Sequence, residues 1–146
     1  MLRYQLYDVK DVKIDIEKEI SYLQDYIGLQ QLRIENCDVT VQIEPSVKGF
    51  AIEPLLLLPF VENSFKHLSH FSNGSRNTVS IALSRMNGEM QFSIQNTTEA
   101  KVSSQPYGGI GLTNVKRRLE LLYPQKHQLD VAETDGWYRV QLKLKL

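Results

Sequence analysis

Apolar residues recur at Ile16, Ile20, Leu23 and Ile27, spacings of four, three and four that line one side of a helix. Asp15 stands where an N-cap belongs, Glu17 and Glu19 fall in the first turns, and the stripe predicts a helix running to about Arg33. The period then drops to two: Asp38 to Glu44 (Asp-Val-Thr-Val-Gln-Ile-Glu) alternates as a half-buried strand does. Pro54 suits the first turn of a second helix continuing to about Leu68, and Pro59 inside it should kink it or delay its regular start. On a helical projection Leu57, Leu58, Val61, Phe65 and Leu68 share one side. Asn63, Lys66, His67 and His70 share the other, with Glu62 at the edge.

Alternation returns at Thr78 to Ser84 and Met90 to Gln95, joined through Asn87-Gly88, a strong hairpin signal. Residues 97–108 are polar, punctuated by Pro106, and are expected to form a mobile loop. A third helix is predicted from about Gly111 to Tyr123, with Leu112, Val115, Leu119 and Leu122 on one stripe and Pro124 ending it. Gln128 to Ala132 and Trp137 to Leu144 complete a second hairpin through Asp135-Gly136. Hairpin-linked strands interspersed with amphipathic helices predict an α+β fold. The expected form is a two-layer α/β sandwich whose mixed sheet is covered by helices on one face. Periodicity does not give the strand order.

Composition narrows the class. The 146 residues suit one domain, and 17 basic residues balance 17 acidic ones, so bulk charge does not point to nucleic acid or an anionic membrane surface. Cys37 is the sole cysteine, which excludes an intrachain disulfide and makes an inert thiol in a reducing compartment the default. The longest apolar stretch, Pro54 to Val61, is too short to cross a bilayer. Asp8, Asp11 and Asp15 fall where the apolar part of a signal peptide would lie, so none is expected. Residues 1–13 lack periodicity and form a lead-in; residues 14–146 form the domain.

Three segments carry candidate chemistry. Glu62 and Asn63 are adjacent hard oxygen donors of the kind magnesium accepts alongside phosphate and water, and Lys66 lies one turn on, within reach of a bridged phosphate. A solvated polar helix face would show the same residues. In Gly108-Gly109-Ile110-Gly111, backbone N–H groups without Cβ hindrance can approach phosphate oxygens where a helix begins; a flexible turn is the plain alternative. No Gly-Lys-Ser/Thr follows, so this is not a P-loop. Asn96 closes an alternating run, where its amide can pair with an adenine edge or simply form a turn.

Taken together, these residues resemble the ATP-binding catalytic domain of the autolysin-sensor type of bacterial sensor histidine kinases, part of the wider group shared with gyrase B, Hsp90 and MutL-type ATPases. The resemblance spans nearly the whole chain. It runs from Leu2-Arg3-Tyr4 through Glu17-Lys18-Glu19-Ile20 and Pro54-Leu55-Leu56-Leu57-Leu58-Pro59-Phe60-Val61-Glu62-Asn63-Ser64 to Gly109-Ile110-Gly111-Leu112-Thr113-Asn114-Val115 and Arg118-Leu119. The resemblance implies a Bergerat-type sandwich binding ATP with Mg2+. It implies catalytic roles for Glu62, Asn63 and Lys66, with Asn63 the metal ligand. Nucleotide contacts are implied for Asn63, Lys66, His67, Asn96, Gly109, Ile110, Gly111 and Leu112. The implied partners are a phosphoacceptor/dimerisation helix of the same full-length protein, expected to be a homodimer, and a response regulator. The expected location is a cytoplasmic domain of a membrane-anchored sensor.

Departures from the family pattern define the alternative. Asn96-Thr97-Thr98-Glu99-Ala100 stands where many relatives have Asp-x-Gly-x-Gly, and Tyr107 replaces a glycine upstream of the lid motif. The phosphoacceptor histidine is absent; His67, His70 and His127 do not sit in its motif. A degenerate signalling module of the same fold, binding nucleotide weakly or not at all, is the competing expectation. Pro59 occupies the position of the water-activating glutamate of the hydrolysing relatives and can neither accept a proton nor orient water, which favours transfer over hydrolysis.

Overall fold

A computed structural model describes residues 12–72, 74–99 and 109–146. The element order is β1 (Ile14–Asp15), α1 (Ile16–Arg33), β2 (Cys37–Ile43), β3 (Ala51–Ile52), α2 (Leu58–Lys66), β4 (Asn77–Met86), β5 (Glu89–Thr97), α3 (Gly109–Leu122), β6 (His127–Thr134) and β7 (Trp137–Lys145). The larger sheet has five strands in the order β2-β4-β5-β7-β6. β2 runs parallel to β4 and the other neighbours are antiparallel. β1 and β3 form a separate two-residue antiparallel pair. The described parts of the expected lead-in and of the 97–108 loop are residues 12–13 and 97–99; the rest of both lies outside the described residues.

Both predicted hairpins form around turns that require positive φ at two successive positions. Asn87 and Gly88 have φ of 54° and 74°, and Asp135 and Gly136 have 54° and 79°. The strand period of two then sorts the side chains. Val79, Ile81, Leu83, Met90, Phe92, Ile94, Val140, Leu142 and Leu144 are buried on one face. Ser80, Ala82, Ser93, Gln95 and Gln141 line the opposite face, on which none of the described helices lies. Helices cover only the apolar face, giving the two-layer sandwich.

Ile16, Leu23 and Ile27 of α1, Phe60, Val61 and Phe65 of α2, and Leu112, Val115 and Leu119 of α3 complete this core. Asp15 occupies the N-cap position of α1 without a side-chain cap bond. Its expected role passes to the backbone, because Ile16 N donates to Phe50 O at 2.9 Å. The short β1–β3 pair brings that carbonyl alongside.

The second helix begins later than Pro54 predicts. Leu55 adopts a left-handed conformation, φ 58°, which no regular helix tolerates, so the chain turns there and α2 starts at Leu58. Pro59 sits in the first helical turn, where its missing N–H removes no intrahelical bond. Of the two outcomes expected for Pro59, the delayed start is the one observed.

Candidate functional site

The turn that launches α2 is held from two sides. Glu19 of α1 is fully buried; its Oε1 accepts from Leu55 N at 2.8 Å and its Oε2 from Leu57 N at 2.9 Å. From α3, Arg118 donates through Nη2 to Pro54 O at 2.8 Å and through Nη1 to Leu55 O at 3.2 Å. A left-handed turn exposes backbone groups that no ladder can satisfy, and a carboxylate and a guanidinium supply the missing acceptors and donors. Burial pulls the Arg118 guanidinium below its ordinary range, with Glu53 and Glu19 opposing that shift.

With its start fixed, α2 aims consecutive residues at the ends of β5 and β7. Asn63 Nδ2 donates to the Tyr138 hydroxyl at 2.8 Å, and Ser64 Oγ donates to Asn96 Oδ1 at 2.6 Å. Asn96 and Tyr138 are direct partners in the β5–β7 ladder. The four residues therefore close a circuit: two neighbours on a helix bound to two neighbours across a sheet. One turn on, the His67 ring stacks on Tyr138, centroids 5.0 Å apart and planes 24° from parallel. Burial pushes the Tyr138 phenol above its ordinary range, while the bond from Asn63 acts in the opposite direction.

Donation through Nδ2 leaves the carbonyl oxygen, the end of an amide able to ligate a metal, as the other terminus of the Asn63 amide. Asn96 is fully buried beneath Ser64 rather than set on an open wall, and its Nδ2 also donates to Thr97 O at 3.0 Å. The wider polar face of α2 divides in two. Asn63 and His67 turn to Tyr138, whereas exposed Lys66 and His70 border a cleft of about 540 Å³ with Gln30, Arg33 and Asn77. Glu62 is exposed on the side facing α1, where its charge raises the Tyr26 phenol in addition to the larger effect of burial.

No protein-family model matches the chain. It is 30% identical over 132 residues to the sensor histidine kinase YpdA of Escherichia coli K12, covering 84% of this chain and 23% of YpdA. It is 27% identical over 158 residues to the sensor protein LytS of Oceanobacillus iheyensis, covering 98% of this chain and 27% of LytS. The chain is similar to the catalytic domains of sensor histidine kinases. It spans about a quarter of the length of these curated relatives. The fold is shared with histidine kinase ThkA, solved in complex with the response regulator protein TrrA. The TM-score is 0.62 at 13% identity, over 92% of this chain and 42% of ThkA.

In this histidine kinase-like domain the glycine-bearing helix meets the asparagine-bearing one: α3 begins at Gly109 and packs against α2. The sequence places the helix start near Gly111, but the helix takes in Gly109 and Ile110 as well. The N–H groups of Gly109, Ile110 and Gly111 therefore fall at the first three helical positions, whose backbone donors have no intrahelical acceptor. Leu112 is itself 1% exposed, so its side chain anchors the helix in the core.

Two residues of the site escaped the sequence reading. Tyr138 follows the Asp135-Gly136 turn and shares the register of Val140, Leu142 and Leu144, so only its hydroxyl marks it as more than core. Ser64 is buried beside Phe65; its position between Asn63 and Phe65 was the available signal.

Proposed function

We propose that the chain binds ATP with Mg2+ between α2 and α3. In the longer protein it would pass the γ-phosphoryl group to a histidine on a dimerisation helix outside this chain. The observation that carries this reading is the Asn63–Tyr138/Ser64–Asn96 circuit, which sets a candidate metal ligand and a candidate base reader at fixed separation on one scaffold. The amide oxygen of Asn63 is a hard donor of the kind magnesium accepts. Among the described residues no group of three or more His, Cys, Asp or Glu side chains is placed to hold a metal. Magnesium here would take Asn63 Oδ1 and fill its remaining positions from phosphate and water.

When bound, the Mg2+ neutralises charge on the phosphate chain. The residues do the positioning. Lys66 and His67 approach the phosphates from α2, and the N–H groups of Gly109, Ile110 and Gly111 face them from α3. Asn96 meets the adenine, and Glu62 orients the arriving imidazole. In the transfer a bond forms between the γ-phosphorus and an imidazole nitrogen as the bond to the β–γ bridging oxygen breaks, releasing ADP. A response regulator would then accept the phosphoryl group. The full-length protein would be a homodimer, membrane-anchored with this domain in the cytoplasm, and residues 1–13 would lead in from the upstream dimerisation segment. Among the described residues no helix is long and apolar enough to cross a membrane.

Calorimetric titration with a non-hydrolysable ATP analogue and magnesium tests the reading. Saturable binding is expected, weakened about tenfold or more in Asn63→Ala, or at least about 1.4 kcal/mol. Absence of heat and of any thermal shift at millimolar nucleotide would reject it in favour of a signalling module that keeps the fold without the ligand.

A further inference from the structure

The Tyr138 hydroxyl that receives Asn63 Nδ2 at 2.8 Å can itself donate or accept. That bond alone therefore does not fix which end of the amide faces outward. With the amide turned over, the phenol would donate to Oδ1, and N–H hydrogens would point where a cation is to sit. The outcome depends on where the phenolic hydrogen goes.

Glu133, on the edge strand, decides it. It is the direct ladder partner of Tyr138 between β6 and β7. It follows Leu129 and Val131, which pack against the core, at the strand period of two, so its side chain lies on the helix-covered face beside the phenol. Among the described residues its Oε2 is buried and lacks a hydrogen-bond partner. Behind burial and the Asn63 bond, its charge is the further influence on the phenol. A hydroxyl dipole turns its hydrogen toward such a group, because a buried carboxylate oxygen without a donor is costly. The ring itself has little freedom. Tyr138 is 1% exposed, and His67 stacks on it one turn beyond Asn63.

We propose that Glu133 and Tyr138 are positioning residues for Asn63. The carboxylate turns the phenolic hydrogen toward β6, the phenol oxygen accepts from Nδ2, and Oδ1 is left to face the cation. The proposal rests on the magnesium-nucleotide reading above. Asn63 is half-buried rather than enclosed, and among the described residues its Oδ1 accepts no hydrogen bond. A carboxylate presents oxygen whichever way it turns, whereas an amide does so in only one of two orientations. A cation site that rests on an asparagine therefore needs an outer partner to hold the amide, as other metal ligands do.

Tyr138→Phe and Glu133→Gln test this, each titrated with a non-hydrolysable ATP analogue in Mg2+ and again in EDTA. Tyr138→Phe keeps the ring and its stack on His67 but removes the acceptor. It is expected to cut the affinity gained on adding Mg2+ by about tenfold, with binding in EDTA changed less than about twofold. Glu133→Gln keeps the shape without the charge, and a smaller cut in the same gain is expected. A merely structural role would weaken binding equally with and without Mg2+, and that result overturns the proposal. So does an undiminished Mg2+ gain in either variant, or a parent whose binding does not depend on Mg2+. Should Tyr138→Phe fail to fold, Glu133→Gln decides alone. A parent that binds no nucleotide defeats the reading beneath the proposal, and the linkage is then judged by NMR on the unliganded chain. Solvent exchange of the Asn63 side-chain amide hydrogens should quicken about fivefold in Tyr138→Phe, and unchanged exchange overturns the linkage by itself.

Discussion

The two ends of α2 are fastened by opposite kinds of chemistry. At the start, full charges grip backbone: Glu19 takes two N–H groups and Arg118 reaches two carbonyls of the Glu53–Leu57 turn. Further along, neutral side chains grip one another, Asn63 with Tyr138, Ser64 with Asn96, and Ser69 with Asn77 and Thr97. Charge is effective where the geometry is permanent and the turn strained, because a buried ion bonded to several backbone groups is costly to disturb. The Asn63–Tyr138 and Ser64–Asn96 contacts are between neutral dipoles, which fix geometry without adding charge to the proposed site. The difference separates what holds the domain together from what is proposed to hold the nucleotide.

That comparison breaks most visibly at Glu19. Glu19→Ala should leave Leu55 N and Leu57 N without acceptors in a buried turn, at a cost of about 3 kcal/mol, a fall of roughly 10 °C in melting temperature by differential scanning calorimetry. Arg118→Ala is expected to cost less, about 1–2 kcal/mol, since its head group is partly exposed and water can replace it at Leu55 O. Chemical denaturation would resolve the two. Asn63→Ala sharpens the contrast from the other end. It removes one neutral hydrogen bond, worth about 1 kcal/mol, yet should cause the largest loss of nucleotide affinity. If Asn63→Ala destabilised the fold as much as Glu19→Ala, the division of labour along α2 would be wrong.

The smallest expected effect concerns alkali. Burial, with Glu53 adding to it, pushes the Tyr123 phenol well above its usual range, and burial raises Tyr138 as well. The folded chain keeps these protons when the unfolded chain has begun to lose them at about pH 10. Stability from this source is intact below about pH 10 and falls as the pH climbs beyond it. Tyr123→Phe should flatten that decline in pH-dependent melting curves; an equally steep decline would remove Tyr123 from the explanation.

Much of the scaffold could be read before any coordinates. Asn87-Gly88 and Asp135-Gly136 announce their turns because few other residues accept two successive positive φ angles, and the Ile16–Ile27 stripe needs only helical geometry. β1 and β3 could not be read, because two residues are too short to display a period. The parallel pairing of β2 with β4 depends on how a long connection folds back, which local pattern does not encode. Asn63 and Asn96 were recognisable as types of residue. Their linkage through Ser64 and Tyr138 was not, because it arises only where a helical repeat meets a strand register.

Asn96 faces Tyr138 across β5 and β7, and the Asp135-Gly136 turn that starts β7 sets which way Tyr138 points. One residue added to that bend would invert the facing of every downstream position. Tyr138 would swing to the bare side of the sheet, and the asparagine above it would lose its anchor. The length of this small corner is thus as much a part of the Asn63–Tyr138 linkage as the two side chains themselves.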